Sequence, residues 1–143
     1  GTIDVVSDGT LIDSRDGRKY KTVKIGNQVW MAENLNYITS SGSWYYDKNP
    51  ANGTTYGLLY DWATAMTVAP PGWHLPTDNE WTTLIDYLGG ESVAGGKLRE
   101  VGTVYWKSPN VGATNESGFT ALPGGCRFDF GTFLNIGSDG GWW

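Results

Sequence analysis

The chain has 143 residues, a net charge of −5, 17% charged residues, 21 glycines and 8 tryptophans. That length fits one domain with a real hydrophobic core, and the aromatic content separates it from disordered chains. The acidic balance argues against nucleic acid, which needs a basic stripe, and no apolar run has the length of a membrane-spanning helix.

In chain order, Ser7-Asp8-Gly9 and Asp16-Gly17 are turn signals around the apolar pair Leu11-Ile12. Residues 20–25 and 28–33 are β-rich runs separated by Gly26-Asn27, which predicts a hairpin with a two-residue turn. Residues 36–55, rich in Ser, Gly, Asn and Tyr, predict an aromatic loop. Tyr56, Leu59, Tyr60, Ala63 and Met66 recur at helical spacing and predict a first amphipathic helix near 57–66, broken by Pro70-Pro71-Gly72. Thr77-Asp78-Asn79-Glu80 is a capping box. It opens a second helix whose stripe is Trp81, Leu84, Ile85 and Leu88 and whose stop is Gly89-Gly90. A short turn or helix over 92–99 and irregular chain to about 117 follow. From Gly118 the pattern is strand-like, interrupted by Pro123-Gly124-Gly125. Strands, two central helices, a long loop region and strands again make the expected class α+β, with short antiparallel strands and long loops.

The last eighteen residues, 126–143, set five large aromatics (Phe128, Phe130, Phe133, Trp142, Trp143) on glycine-rich backbone with no Lys, Glu, Gln or Met. So much apolar area on so irregular a segment points to contact with something else. Trp44, Tyr45 and Tyr46, in a polar loop, are secondary candidates for a sugar-stacking or protein-contact platform. Trp30, Trp62, Trp73 and Trp81 lie in patterned segments and read as core.

Catalytic and metal signals are weak. A lone Cys126 and a lone His74 make neither a disulfide nor the usual zinc site, and His74, just ahead of the helix cap, reads as structural. Gly95-Gly96-Lys97 lacks the spacing of a phosphate loop, and residues 13–17 lack that of a calcium loop. Asp78, Glu80, Asp86, Glu91, Glu100 and Glu116 fall in no glycosidase motif. Asn110, Asn115 and Glu116 share a loop that could ligate calcium, a minor alternative to no cofactor at all.

Several phrases together, Asp13-Ser-Arg-Asp-Gly17, Tyr20-Lys-Thr-Val-Lys-Ile-Gly26, Trp30-Met-Ala-Glu-Asn-Leu-Asn-Tyr37, Tyr56-Gly57, Gly72-Trp-His-Leu-Pro-Thr77 and Ala121-Leu-Pro-Gly-Gly125, resemble the Fibrobacter succinogenes major paralogous domain. That resemblance covers nearly the whole chain. It implies a C-type lectin-like fold, in the branch shared with formylglycine-generating enzymes through Leu75-Pro-Thr-Asp-Asn-Glu-Trp81. It also implies a secreted or lipid-anchored surface protein of a gut or rumen bacterium. Family members continue past a Trp-Trp pair into further strands. The expectation is therefore one domain over 1–143, truncated relative to the family and lacking its last strands. The oxidation chemistry of the formylglycine-generating relatives needs paired cysteines or a copper thiolate site, which one Cys cannot supply, so no enzymatic activity is expected.

Folds of this type are also targets of diversity-generating retroelements, which mutate adenines in codons near the C-terminus of a ligand-binding protein. From Asn codons such changes reach Cys, Phe, Asp, Leu, Ser and Gly and never Lys, Glu, Gln, Met or Trp. The residues at the expected target positions, Cys126, Phe128, Asp129, Phe130, Leu134, Ser138, Asp139 and Gly141, are all reachable. The expected function is thus extracellular binding of a protein or glycan ligand on a cell surface, with these eight residues on the binding face and Trp142 and Trp143 at its base. The alternative is a fixed carbohydrate-binding module, and a third reading is an adhesive surface domain.

Overall fold

The computed structural model describes residues 9–143. Apart from Gly9, the expected turn at Ser7-Asp8-Gly9 lies outside the described residues.

The class is α+β, with four α-helices and short antiparallel strand pairs among the described residues. Strands β1 (Thr10–Ile12), β2 (Lys19–Ile25) and β3 (Gln28–Met31) form one sheet in that order. The expected hairpin is present: Gly26-Asn27 joins β2 to β3 with Val23 opposite Trp30 and Ile25 opposite Gln28. Side chains directly opposite share a face, so Trp30 joins Val23 and Ile25 toward the core while Val29 and Met31 take the reverse face. The other end of β2 uses that reverse face: Tyr20 pairs with Leu11, both buried, and its hydroxyl accepts from the Asn36 amide at 3.0 Å.

The turn between β1 and β2 is built on Asp13, which has no exposed surface. Its carboxylate accepts from the Arg15 backbone N–H (3.0 Å), Nε (2.9 Å) and Nη2 (2.6 Å). The Arg15 guanidinium in turn lies over the Tyr37 ring, 3.8 Å from its centre. Calcium is not needed to explain this loop.

The expected helix near 57–66 gives way to a short strand and a short helix, and the expected loop over 36–55 holds another strand and another α-helix. Helix α1 (Pro50–Tyr56) starts on Asn49, whose side chain accepts from the Ala51 amide, with Pro50 in the first turn. Gly57, at φ 72°, ends it, and a Cβ there would meet the Leu35 carbonyl oxygen at 2.6 Å. Strand β4 (Ser43–Trp44) then pairs with β5 (Leu59–Tyr60), and α2 (Trp62–Ala65) starts on Asp61, which accepts from the Thr64 amide. Tertiary pairing of Leu59 and Tyr60 overrides their helical spacing. Met66, expected on the helical stripe, and Trp62, expected in the core, are exposed.

Helix α3 (Asp78–Tyr87) matches expectation, capping box included: Glu80 N–H donates to Thr77 Oγ1 and Thr77 N–H to the Glu80 carboxylate. Its stripe packs Leu84 and Leu88 into a core with Ile25, Trp30, Ala94, Phe119 and Ala121. Trp30, Trp81 and Phe119 meet there with ring centres 4.8–6.3 Å apart. Helix α4 (Glu91–Leu98) fills the expected 92–99 turn. The following chain has neither helix nor strand until β6 (Cys126–Arg127), which pairs with β7 (Phe133–Leu134). That loop region is pinned by the buried Trp106, whose indole N–H donates to the Ala121 carbonyl at 3.0 Å.

Candidate functional site

The C-terminal segment is a hairpin, a turn and an anchored pair of tryptophans. In the hairpin Cys126 stands opposite Leu134 and Arg127 opposite Phe133. Alternation therefore splits it into two faces. One carries Arg127 and Phe133. Phe133 packs on Tyr46, with centres 5.4 Å apart, and the Arg127 guanidinium lies 3.9 Å from the Trp44 ring centre. The other face carries Cys126 and Leu134. At the tip, Phe128 and Phe130 stack on each other at 5.6 Å and 14°, 44% and 79% exposed. Gly131, at φ 92°, closes this tip turn, its N–H donating to the Phe128 carbonyl.

A second turn follows. Asn135 adopts φ 70°, its side-chain N–H donates to the Asp139 carboxylate at 2.9 Å, and the Ser138 and Asp139 amides donate to its carbonyl. Ser138 and Asp139 are thereby held outward. Trp142 packs edge-on against Phe119 and donates to Asn34 Oδ1 at 3.1 Å. Trp143 packs edge-on against Trp62 and donates to the Tyr60 carbonyl at 2.8 Å, while Trp81 donates to the Trp143 carbonyl. Both terminal indoles are fixed to the scaffold, yet remain 41% and 54% exposed.

The loop at 44–46 joins this arrangement from below. Trp44 is covered by Arg127, Tyr45 lies against Gly53 so closely that a Cβ there would sit 2.3 Å from its ring, and Tyr46 is buried. Trp44 and Tyr46 support the hairpin, and Tyr45 packs on α1. Of the three, Tyr46 has only 7% of its surface exposed.

Beside the hairpin a cavity of about 610 Å³ opens between β5, α2, the β6–β7 hairpin and the terminal tryptophans. Trp44, Trp62, Trp142, Trp143, Asp61 and Arg127 are among its lining residues, and Cys126, Asp129 and Gly141 reach it from the C-terminal segment. Neither Trp62 nor Arg127 stood out in the sequence as a site residue. A usable signal for Trp62 was Asp61 three residues before Thr64, an N-cap that puts the indole in an exposed first turn.

Electrostatics here are set by local hydrogen bonds. The Thr64 hydrogen bonds hold the Asp61 carboxyl below its ordinary value, with a smaller contribution from the Arg127 charge. Burial pushes the Tyr60 phenol far above its ordinary value, against the opposing hydrogen bond from the Tyr37 amide. Glu80 is lowered chiefly by the Thr77 amide and also by His74, whose Nε2 lies 2.7 Å from its carboxylate. His74 is thus engaged at the helix cap.

Among the described residues no three His, Cys, Asp or Glu side chains converge on a point where an ion could sit. Of the calcium candidates, Asn110 donates to the Glu100 and Gly102 carbonyls while its Oδ1 is buried without a partner, and Asn115 holds Thr120. Among the described residues no helix is long and apolar enough to cross a membrane.

No curated protein and no solved structure matches the chain. The family model of the Fibrobacter succinogenes major domain matches residues 23–143, from the middle of β2 through the terminal tryptophans. The chain belongs to the Fibrobacter succinogenes major domain family.

Proposed function

We infer that this chain is a non-enzymatic, extracellular binding domain of C-type lectin-like type, and that residues 126–143 form a retroelement-diversified display face for a protein ligand on a cell surface. The carrying observation is a pattern of exposure. Of the eight positions expected to be diversified, seven (Phe128, Asp129, Phe130, Leu134, Ser138, Asp139 and Gly141) are exposed, and Cys126 is half-buried. Between them, Phe133 and Arg127 sit on the 44–46 loop, Ile136 is half-buried and Gly137 is buried, while Thr132 and the turn residue Asn135 are exposed.

A scaffold that varies its ligand needs this separation, because exposed substitutions leave stability within about 0.5 kcal/mol while core ones do not. Phe128 and Phe130 supply rigid apolar anchors, and Asp129 and Asp139 supply acceptors, on turns set by Gly131 and Asn135. The helix and strand content supports a lectin-like scaffold. The engagement of His74 by Glu80 supports a role without catalysis.

The test is to sequence the 3′ end of the gene across many cells of the source population, with its genomic neighbourhood. Substitutions confined to the codons of the eight positions, beside a reverse transcriptase and a near-repeat template, are the expected result. A uniform sequence without a template would remove the diversification. With any ligand in hand, Phe128→Ala with Phe130→Ala should abolish binding, and unchanged binding would remove the assigned face.

A further inference from the structure

The cavity beside the hairpin carries hydrogen-bonding groups that the fold does not use. Arg127 makes no ion pair among the described residues, and its hydrogen bonding is limited to a long 3.4 Å contact from Nη1 to the Phe128 carbonyl, so Nη2 has no partner. The Trp62 indole N–H likewise has no acceptor, although the ring is 54% exposed. Asp61 accepts from the Thr64 amide through Oδ1, and its carboxylate is exposed. Asp129 adds a second free carboxylate. All four residues line the same space, which the edge-on Trp62–Trp143 ring pair also lines.

This inventory discriminates between ligand classes. An anion would be drawn to Arg127 but would also meet Asp61 and Asp129. A cation would meet the guanidinium. A purely apolar molecule would strip water from two charged side chains and offer neither a hydrogen bond in return. A hydroxyl group both donates and accepts, so it serves either sign. A ring carrying several hydroxyls also has C–H faces that lie flat on an indole. The volume of about 610 Å³ falls inside the roughly 300–1,000 Å³ of small-molecule sites.

We propose that this cavity binds a neutral sugar unit, stacked on Trp62 and Trp143, with hydroxyls bridging Arg127 and Asp61. These four residues lie outside the eight display positions, so the site is the same whatever residues those positions carry. The proposal does not rest on diversification of the outer face, and its failure leaves that reading standing.

The test uses the purified domain, titrated separately with cello-, xylo- and manno-oligosaccharides and with oligogalacturonate. Intrinsic tryptophan fluorescence and calorimetry report binding. At least one neutral oligosaccharide should bind saturably, with a dissociation constant below about 1 mM. Trp62→Ala should weaken it about tenfold or more, since the exposed ring adds little to the fold. Asp61→Asn, which keeps the helix cap, should weaken it about tenfold as well, the loss of a charge-assisted hydrogen bond. A thermal midpoint close to wild type for each variant excludes loss by unfolding. Three results would overturn the proposal: no neutral sugar bound at about 10 mM, binding of oligogalacturonate alone, or binding indifferent to both substitutions in folded protein.

Discussion

The Arg127 guanidinium carbon lies 3.9 Å from the centre of the Trp44 ring, and this contact ties the C-terminal hairpin to a loop more than eighty residues earlier in the chain. Arg127 and Phe133 together seat β6–β7 on Trp44 and Tyr46, which is why the opposite face is free to point outward. A double-mutant cycle of Trp44→Ala and Arg127→Ala, followed by urea denaturation, should give a coupling of about 1 kcal/mol, within the range of partly buried cation–π pairs. A coupling near zero would mean that the hairpin is positioned by Phe133 alone.

Among the described residues Asp13 is the buried charge, and its ion pair with Arg15 is local. Asp13→Ala removes the acceptor of three hydrogen bonds and leaves the Arg15 guanidinium, 23% exposed, without its partner. The expected loss is about 3 kcal/mol, the low end for breaking a buried pair, read from the shift in denaturation midpoint.

The same pair predicts an acid dependence. Hydrogen bonding from Arg15 lowers the Asp13 carboxyl in the folded chain, against an opposing effect of burial. The unfolded chain therefore takes up the proton first as pH falls. The stabilisation is fully present above the ordinary Asp value and is lost as pH drops through the lowered folded one. Wild type should lose stability across that acid window more steeply than Asp13→Asn, and parallel curves would show that the pair is not the acid-sensitive element.

At the α3 cap, Thr77→Ala should cost about 1 kcal/mol and Thr77→Ser close to nothing, because only the hydroxyl acceptor for the Glu80 amide matters. Equal losses in the two variants would assign the effect to the methyl group.

The hairpin's entry is more constrained than its tip. Gly125 sits at φ 69°, and a Cβ there would lie 2.6 Å from the Leu134 carbonyl oxygen, 2.7 Å from the Tyr46 ring and 2.8 Å from the Ile136 amide. Gly125→Ala should cost at least about 2 kcal/mol through strain and forced separation of β6 from its neighbours. Phe130→Ser, at a 79% exposed position, should stay within about 0.5 kcal/mol of wild type. Calorimetric midpoints of the two variants separate scaffold from display surface, and a large loss for Phe130→Ser would place that ring in the scaffold.

The sequence by itself determined the elements whose signals are local. Gly26-Asn27 with alternating neighbours sets the β2–β3 hairpin, and Thr77 with Glu80 sets the start of α3, because each signal satisfies backbone groups within a few residues. The apolar stripe of α3 and the concentration of aromatics at 126–143 were legible for the same reason. What only the tertiary structure decided is where pairing partners are distant. Leu59 and Tyr60 have helical spacing but pair with Trp44 and Ser43, and backbone hydrogen bonds to β4 outweigh weak helix propensity. Trp62 sits outside the core because Asp61 starts a helix one residue ahead of it. Trp44 and Tyr46 became supports because Arg127 and Phe133 reach them across the chain. A cavity is the least legible feature of all: it is a gap between segments, and its shape depends on the packing of every wall.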